Sequence, residues 1–153
     1  MKDSSLFDRI GAPLLRAVIT EFYRRIFDDV MIGFMFQGKD RQHLIDREWE
    51  LAAAMLGAPG VKYTGRPMRA AHAQHSIFGG HFERRLQILR EAMSDLGVDP
   101  EVQRAWIAHT ESLRAQITSD RGSECKDTSA ARPKLAIAAE PVPATLIKLG
   151  RKQ

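Results

Sequence analysis

Cysteine is nearly absent: the 153-residue chain carries one, Cys125. A single thiol forms no internal disulfide, which excludes a disulfide-stapled scaffold and makes a reducing, cytoplasmic setting the expectation. No apolar run approaches the roughly 20 residues that a membrane-spanning helix needs. The opening Met1-Lys2-Asp3-Ser4-Ser5 leads into mixed charge, so no secretory leader is expected. A concentrated charge of one sign is missing as well. Residues 1–118 hold 16 Lys and Arg against 15 Asp and Glu, whereas residues 119–153 hold 7 against 4. The basic balance belongs mostly to the C-terminal stretch, and the rest lacks the positive face that nucleic-acid binding requires. Strand alternation, hairpin turns and internal repeats are not found. What remains is 44% hydrophobic and 27% charged residues, an ordinary globular composition for one domain and a tail.

Helical periodicity fills the first 118 residues. Leu15, Val18, Ile19, Phe22 and Ile26 recur at helical spacing after Pro13. A second helix is predicted from about Asp40 to Leu56, stopped by Gly57-Ala58-Pro59-Gly60. A short one is predicted over about 66–74, with Pro67 in its first turn. Phe82, Leu86, Leu89, Met93 and Leu96 form a stripe ending at Gly97. Asp99 and Pro100 then read as cap and first residue of a last helix bearing Val102, Trp106, His109, Leu113 and Ile117. The fold class expected is all-α, with a domain over 1–118. Residues 119–153, with Pro133, Pro141 and Pro143, read as a disordered basic tail; 144–149 is short enough that a solvated segment is expected over a docked one. A plain bundle would join its helices by short turns. From Gly57 to Gly80 there are instead five glycines and two prolines around one short helix. Something other than helix packing is needed there, and a bound cofactor is one candidate.

Several short pieces, taken in order, are more specific. They are Leu6-Phe7-Asp8-Arg9-Ile10-Gly11, Phe22-Tyr23, Phe34-Met35-Phe36-Gln37-Gly38 and Tyr63-Thr64-Gly65-Arg66-Pro67-Met68. His72, Ile77, His81-Phe82 and Leu96-Gly97-Val98 follow. Together they resemble the truncated haemoglobins, small globins with a two-over-two helical sandwich around haem. The match runs from Leu6 to about Ile117. The resemblance implies haem b, diatomic gas ligands, and His72 as the axial ligand to iron. A neutral imidazole suits that role. His75, one turn on, is the rival, and Ile77 sets the register in favour of His72. Phe36 matches a phenylalanine against the haem face, and Tyr23 a tyrosine that donates to bound ligand. Leu44, Met68, Ile77 and Phe82 are expected to pack around haem. Arg47, Tyr63 and Arg69 are peripheral candidates, Arg47 for a propionate or, equally, for solvent. His43 is a further, weaker candidate for iron.

Two positions depart from the family. Where it often has glutamine this chain has Glu48, which when ionised only accepts hydrogen bonds. Where the family presents an apolar side chain or tryptophan over haem, this chain has Arg85. A lone buried charge is costly, whereas a hydrogen-bonded pair is much less so. A Glu48–Arg85 ion pair is therefore expected, unless the register slips by one and turns Trp49 inward, or Arg84 and Arg85 both reach solvent. With Tyr23, these residues form the candidate catalytic group. A positive group near iron would favour anions or charge developing on peroxide. The expected function is a haem protein for O2, NO and CO, with redox chemistry on O2, NO, nitrite or peroxide and an electron-donating reductase as partner. The alternative is a non-enzymatic sensor or interaction domain with weak or absent haem binding. A zinc site built from His72, His75 and His81 matches no strong metal motif.

Overall fold

Local signals set the helix ends in the computed structural model, which describes residues 4–119. At the start, the Ser5 hydroxyl accepts from the Asp8 amide at 3.1 Å while the Asp8 carboxylate accepts from the Ser5 amide at 3.0 Å. This capping box opens α1 (Leu6–Ile10). Gly11 turns the chain into α2 (Ala12–Asp28). A 3-10 turn (Gly33–Phe36) follows. Gly33 is required there, because a Cβ would lie 2.9 Å from the Phe27 carbonyl oxygen. The Asp40 carboxylate caps α3 (Arg41–Leu56), which stops at Gly57 in the left-handed conformation, φ 93° and ψ 27°. The remaining helices are α4 (Met68–His72), α5 (Gly79–Asp95), α6 (Pro100–Ser112) and α7 (Arg114–Ile117). Among the described residues there is no strand, and no helix is long and apolar enough to cross a membrane.

The stripes read from the sequence are the buried faces. Leu15, Val18, Ile19, Phe22 and Ile26 of α2 are wholly excluded from solvent. Each such side chain contributes on the order of 1.5–3 kcal/mol by leaving water. They meet Ile45, Ala52 and Ala53 of α3, Leu89 and Met93 of α5, and Trp106 of α6 in one core. Helix α2 packs on α3 and α5 on α6, and the two pairs join through α2 on α5 and α3 on α6. This is a two-over-two arrangement of four main helices.

Two helix boundaries differ from expectation. The last helix does not run unbroken to Ile117: it ends at Ser112, and α7 resumes at Arg114. Thr110 donates to the Trp106 carbonyl at 2.9 Å and Ser112 to the His109 carbonyl at 2.5 Å. Hydroxyls that compete for helical carbonyls bend or end a helix. Helix α7 lies against α4. Helix α4 is shorter than the predicted 66–74, because Pro67 is extended at ψ 138° and precedes the helix. No residue of α4 is fully buried, so core packing does not hold it. Ser119 helps instead: its amide donates to the Ile77 carbonyl at 2.7 Å and its hydroxyl to that of His75 at 3.1 Å. The tail expected from 119 onward otherwise lies outside the described residues.

Beyond α2, Asp29 fastens the 3-10 turn to α5. Its carboxylate accepts from the Met31 and Ile32 amides at 2.9 and 3.1 Å, and from Arg84 Nε and Nη2 at 3.0 and 2.7 Å. Arg84 is thus engaged, not turned to solvent. The Arg84 guanidinium, outweighing burial, holds the Asp29 carboxyl below its ordinary value. A carboxyl depressed in the folded state stabilises above its unfolded pKa and loses that effect as pH falls through the folded one. Asp29→Ala is therefore expected to cost about 1–3 kcal/mol near neutral pH, measured by urea unfolding. The variant and wild type should converge in acid; a cost that persists undiminished there would contradict the assignment.

Candidate functional site

The helices leave a cavity of about 530 Å³, bordered by α2 to α7 and the loops beside α4. That volume suits a small-molecule or cofactor site. Its polar end comes from three helices. Tyr23 projects from the buried face of α2, Glu48 from α3 and Arg85 from α5. Arg85 Nη2 donates to Glu48 Oε2 at 2.9 Å, and the Tyr23 hydroxyl reaches the same oxygen at 3.5 Å. The side chains of Glu48 and Arg85 are 9% and 22% exposed, so the pair is shielded from bulk water. The guanidinium also lies over the Phe22 ring, 4.8 Å from its centre. Burial and then the charge of Glu48 push the Tyr23 hydroxyl well above its usual value, so it keeps its proton. Burial opposes the charge on Arg85, but Glu48 and Tyr23 outweigh it and raise its pKa. Trp49 does not line the cavity; Arg16 sits over its ring, 5.3 Å from the centre.

The walls are largely apolar. Phe36 and Leu44 line the cavity from the 3-10 turn and α3, and Phe82 from α5. Tyr23 meets Phe36 edge-on with ring centres 6.5 Å apart. Met68 and Ile77 line it beside His72. His72 Nδ1 lies 2.7 Å from the Met68 carbonyl oxygen. A carbonyl only accepts, so Nδ1 carries the hydrogen and Nε2 keeps its lone pair. Burial, only partly offset by the Met68 carbonyl and reinforced by Arg85, pulls the imidazole below its ordinary value. His72 thus presents a neutral, oriented nitrogen donor to an apolar chamber.

At the rim, Arg47 hydrogen-bonds Thr64 and pairs with Glu50, whose carboxylate accepts from the Thr64 amide at 2.9 Å. Arg47 Nε is buried with no hydrogen-bond partner. Such a donor fits an anionic group at the cavity edge. Tyr63 lines the rim and donates to the Arg66 carbonyl at 3.1 Å.

All eleven predicted site residues border this one cavity. His43 and His75 also border it but are exposed, while Arg69 is exposed and lies outside its lining. Among the described residues, no group of three His, Cys, Asp or Glu side chains could hold a metal ion, which excludes the three-histidine zinc site there. Sequence reasoning missed Lys39 and Arg66 at the edge, which no spacing signals. It also treated His109, Leu113 and Ile117 as a packing stripe, although they line the cavity. Their four-residue spacing was the available signal.

The buried pair has a direct energetic consequence. Glu48→Gln and Arg85→Leu each leave one charge without its partner, whereas the double substitution leaves none. A double-mutant cycle on thermal or urea stability should give a coupling of roughly 1–3 kcal/mol. Strictly additive costs would mean that the two charges do not depend on one another.

Comparison with known proteins agrees with the helical fold. Residues 5–119 match the family model of bacterial-like globins. The chain is 33% identical over 122 residues to the group 1 truncated hemoglobin GlbN of Nostoc sp., covering 74% of this chain and 97% of that protein. It is 34% identical over 99 residues to the GlbN of Mycolicibacterium paratuberculosis, covering 64% and 72% respectively. Among solved structures, the Fe(III) truncated hemoglobin of Tetrahymena pyriformis superposes with a TM-score of 0.68 at 22% identity, covering 76% of this chain and all (100%) of that one. The group II truncated hemoglobin of Bacillus anthracis gives 0.70 at 19%, covering 82% and 100%. At such identities the two structures speak for the fold.

Proposed function

Because the chain belongs to the bacterial-like globin family, we propose that its cavity binds haem b with His72 as the axial iron ligand, and that the loaded protein binds diatomic ligands. The observation that carries this reading is the His72 imidazole. Its Nδ1 hydrogen is committed to the Met68 carbonyl, which leaves Nε2 as a neutral donor on the cavity wall. When bound, haem supplies an iron centre that takes up small ligands and exchanges electrons. Phe36, Leu44, Met68, Ile77 and Phe82 supply the apolar contacts for the macrocycle, and the buried Arg47 Nε supplies a donor for a propionate. Tyr63 stands at the same rim.

The polar end favours chemistry over simple oxygen holding. Oxygen retention requires donors, and Glu48 is an acceptor that draws both the Tyr23 hydroxyl and an Arg85 N–H to itself. A guanidinium in a shielded pocket favours negative charge. Tyr23, Glu48 and Arg85 are therefore proposed as the catalytic group for redox chemistry on oxygen, nitric oxide, nitrite or peroxide. Such turnover would draw electrons from a reductase, in a cytoplasmic setting.

The test is haem retention by purified variants, read from the Soret band. His72→Ala should abolish or severely weaken retention, while His75→Ala should retain haem with a wild-type spectrum. The opposite pattern would overturn the ligand assignment, and a wild-type chain that takes up no haem would overturn the function.

A further inference from the structure

We propose that, beside diatomic ligands, this pocket takes a second class, small weak acids: an acid H–X enters, its proton passes to Glu48, and the anion X⁻ stays, held by Arg85. The proposal rests on the haem reading above and adds a class of ligand for that site. Members of the class are small acids such as hydrogen peroxide, hydrogen sulfide, nitrous acid and hydrazoic acid.

The polar end holds one carboxylate and one guanidinium, 2.9 Å apart and largely shielded from water. Among the side chains of the polar end, a bare anion would set two negative charges against one positive charge in a low-dielectric space. A neutral molecule that only accepts hydrogen bonds meets a carboxylate that also only accepts. A weak acid avoids both penalties. The H–X bond breaks with its electron pair left on X, an O–H bond forms on Glu48, and no electrons change owner. Arg85 exchanges one anionic partner for another, and the net charge of the pocket is unchanged.

The geometry leaves room for that proton. Arg85 and the Tyr23 hydroxyl both address the same carboxylate oxygen, Oε2, at 2.9 and 3.5 Å. Oε1 is the oxygen that neither of them holds. The charged and titratable groups that act on Glu48 come from four elements: Tyr23 on α2, Arg85 on α5, Tyr63 on the loop after α3, and His72 on α4. Tyr23, Tyr63 and Arg85 keep their protons, and His72 Nε2 is assigned to iron. Glu48 is the base in direct contact with Arg85; His43, His75, His81 and His109 also line the cavity, but among the described residues none of them hydrogen-bonds Glu48 or Arg85. Once protonated it can also donate, so Glu48, Tyr23 and Arg85 all become donors around X⁻.

The experiment uses the full chain loaded with ferric haem and sodium azide as the probe. Its Kd is measured spectrophotometrically between about pH 6 and pH 9, and proton uptake is measured with an indicator dye in weak buffer. The expected result is a Kd that rises about tenfold per pH unit, with about one proton taken up per azide bound at the alkaline end. In Glu48→Gln the Kd should be independent of pH and the proton uptake lost. A flat profile in the wild type, a retained slope in Glu48→Gln, or azide that leaves the spectrum unchanged would each overturn the proposal. Failure of the haem reading itself is seen separately, as absence of a Soret band before azide is added.

Discussion

The ion pair between Glu48 and Arg85 is the constraint around which the cavity is organised. One partner comes from α3 and the other from α5, so both helices must hold their registers for the pair to form. A one-residue slip of α3 would leave Arg85 facing an apolar chamber with no anion. Tyr23 joins them from α2, so three of the four main helices meet at one carboxylate oxygen. A buried pair of this kind adds little to net stability, because desolvation offsets most of the attraction. Its effect is on what the cavity can hold. It places a fixed positive charge and a fixed acceptor side by side, with Phe22 beneath the guanidinium.

The other end of the cavity is built differently. Helix α4 has no buried residue and takes little from the core. Its position depends on α7 and on the two bonds from Ser119 to the 75–77 backbone. Helix α6 ends at Ser112, where Thr110 and Ser112 donate to helical carbonyls, and α7 lies against α4. The ion-paired polar end thus shares the cavity with a segment held by α7 and by the bonds from Ser119.

Much of this was legible in the sequence, for identifiable reasons. The α2 and α5 stripes have clean helical spacing, and Asp40, Gly57 and Asp99-Pro100 are strong end signals, so the four main helices could be placed closely. The pairing of Glu48 with Arg85 followed from opposite charges at two positions that face one cavity in the family the chain resembles. Other features were not legible. α1 is only five residues long (Leu6–Ile10), too short to show a period. The 3-10 turn has no period of its own, and its position depends on Asp29 reaching Arg84, 55 residues away. The break at Leu113 was missed because the stripe Trp106, His109, Leu113 and Ile117 continues across it. Periodicity alone does not report hydroxyls that compete for carbonyls. Lys39 and Arg66 reach the rim through loop geometry, which no spacing rule encodes.

The most direct test of the account is the C–O stretching frequency of carbon monoxide held in the haem-loaded ferrous protein, since that frequency reads the electric field at the polar end. Glu48→Gln removes the negative partner, so the field of Arg85 should grow and the frequency should fall below the wild-type value. Arg85→Leu leaves the carboxylate alone, so the frequency should rise above it. Opposite shifts in the two variants are what the account predicts. The same frequency in wild type and both variants would contradict it, because the pair would then not face the ligand.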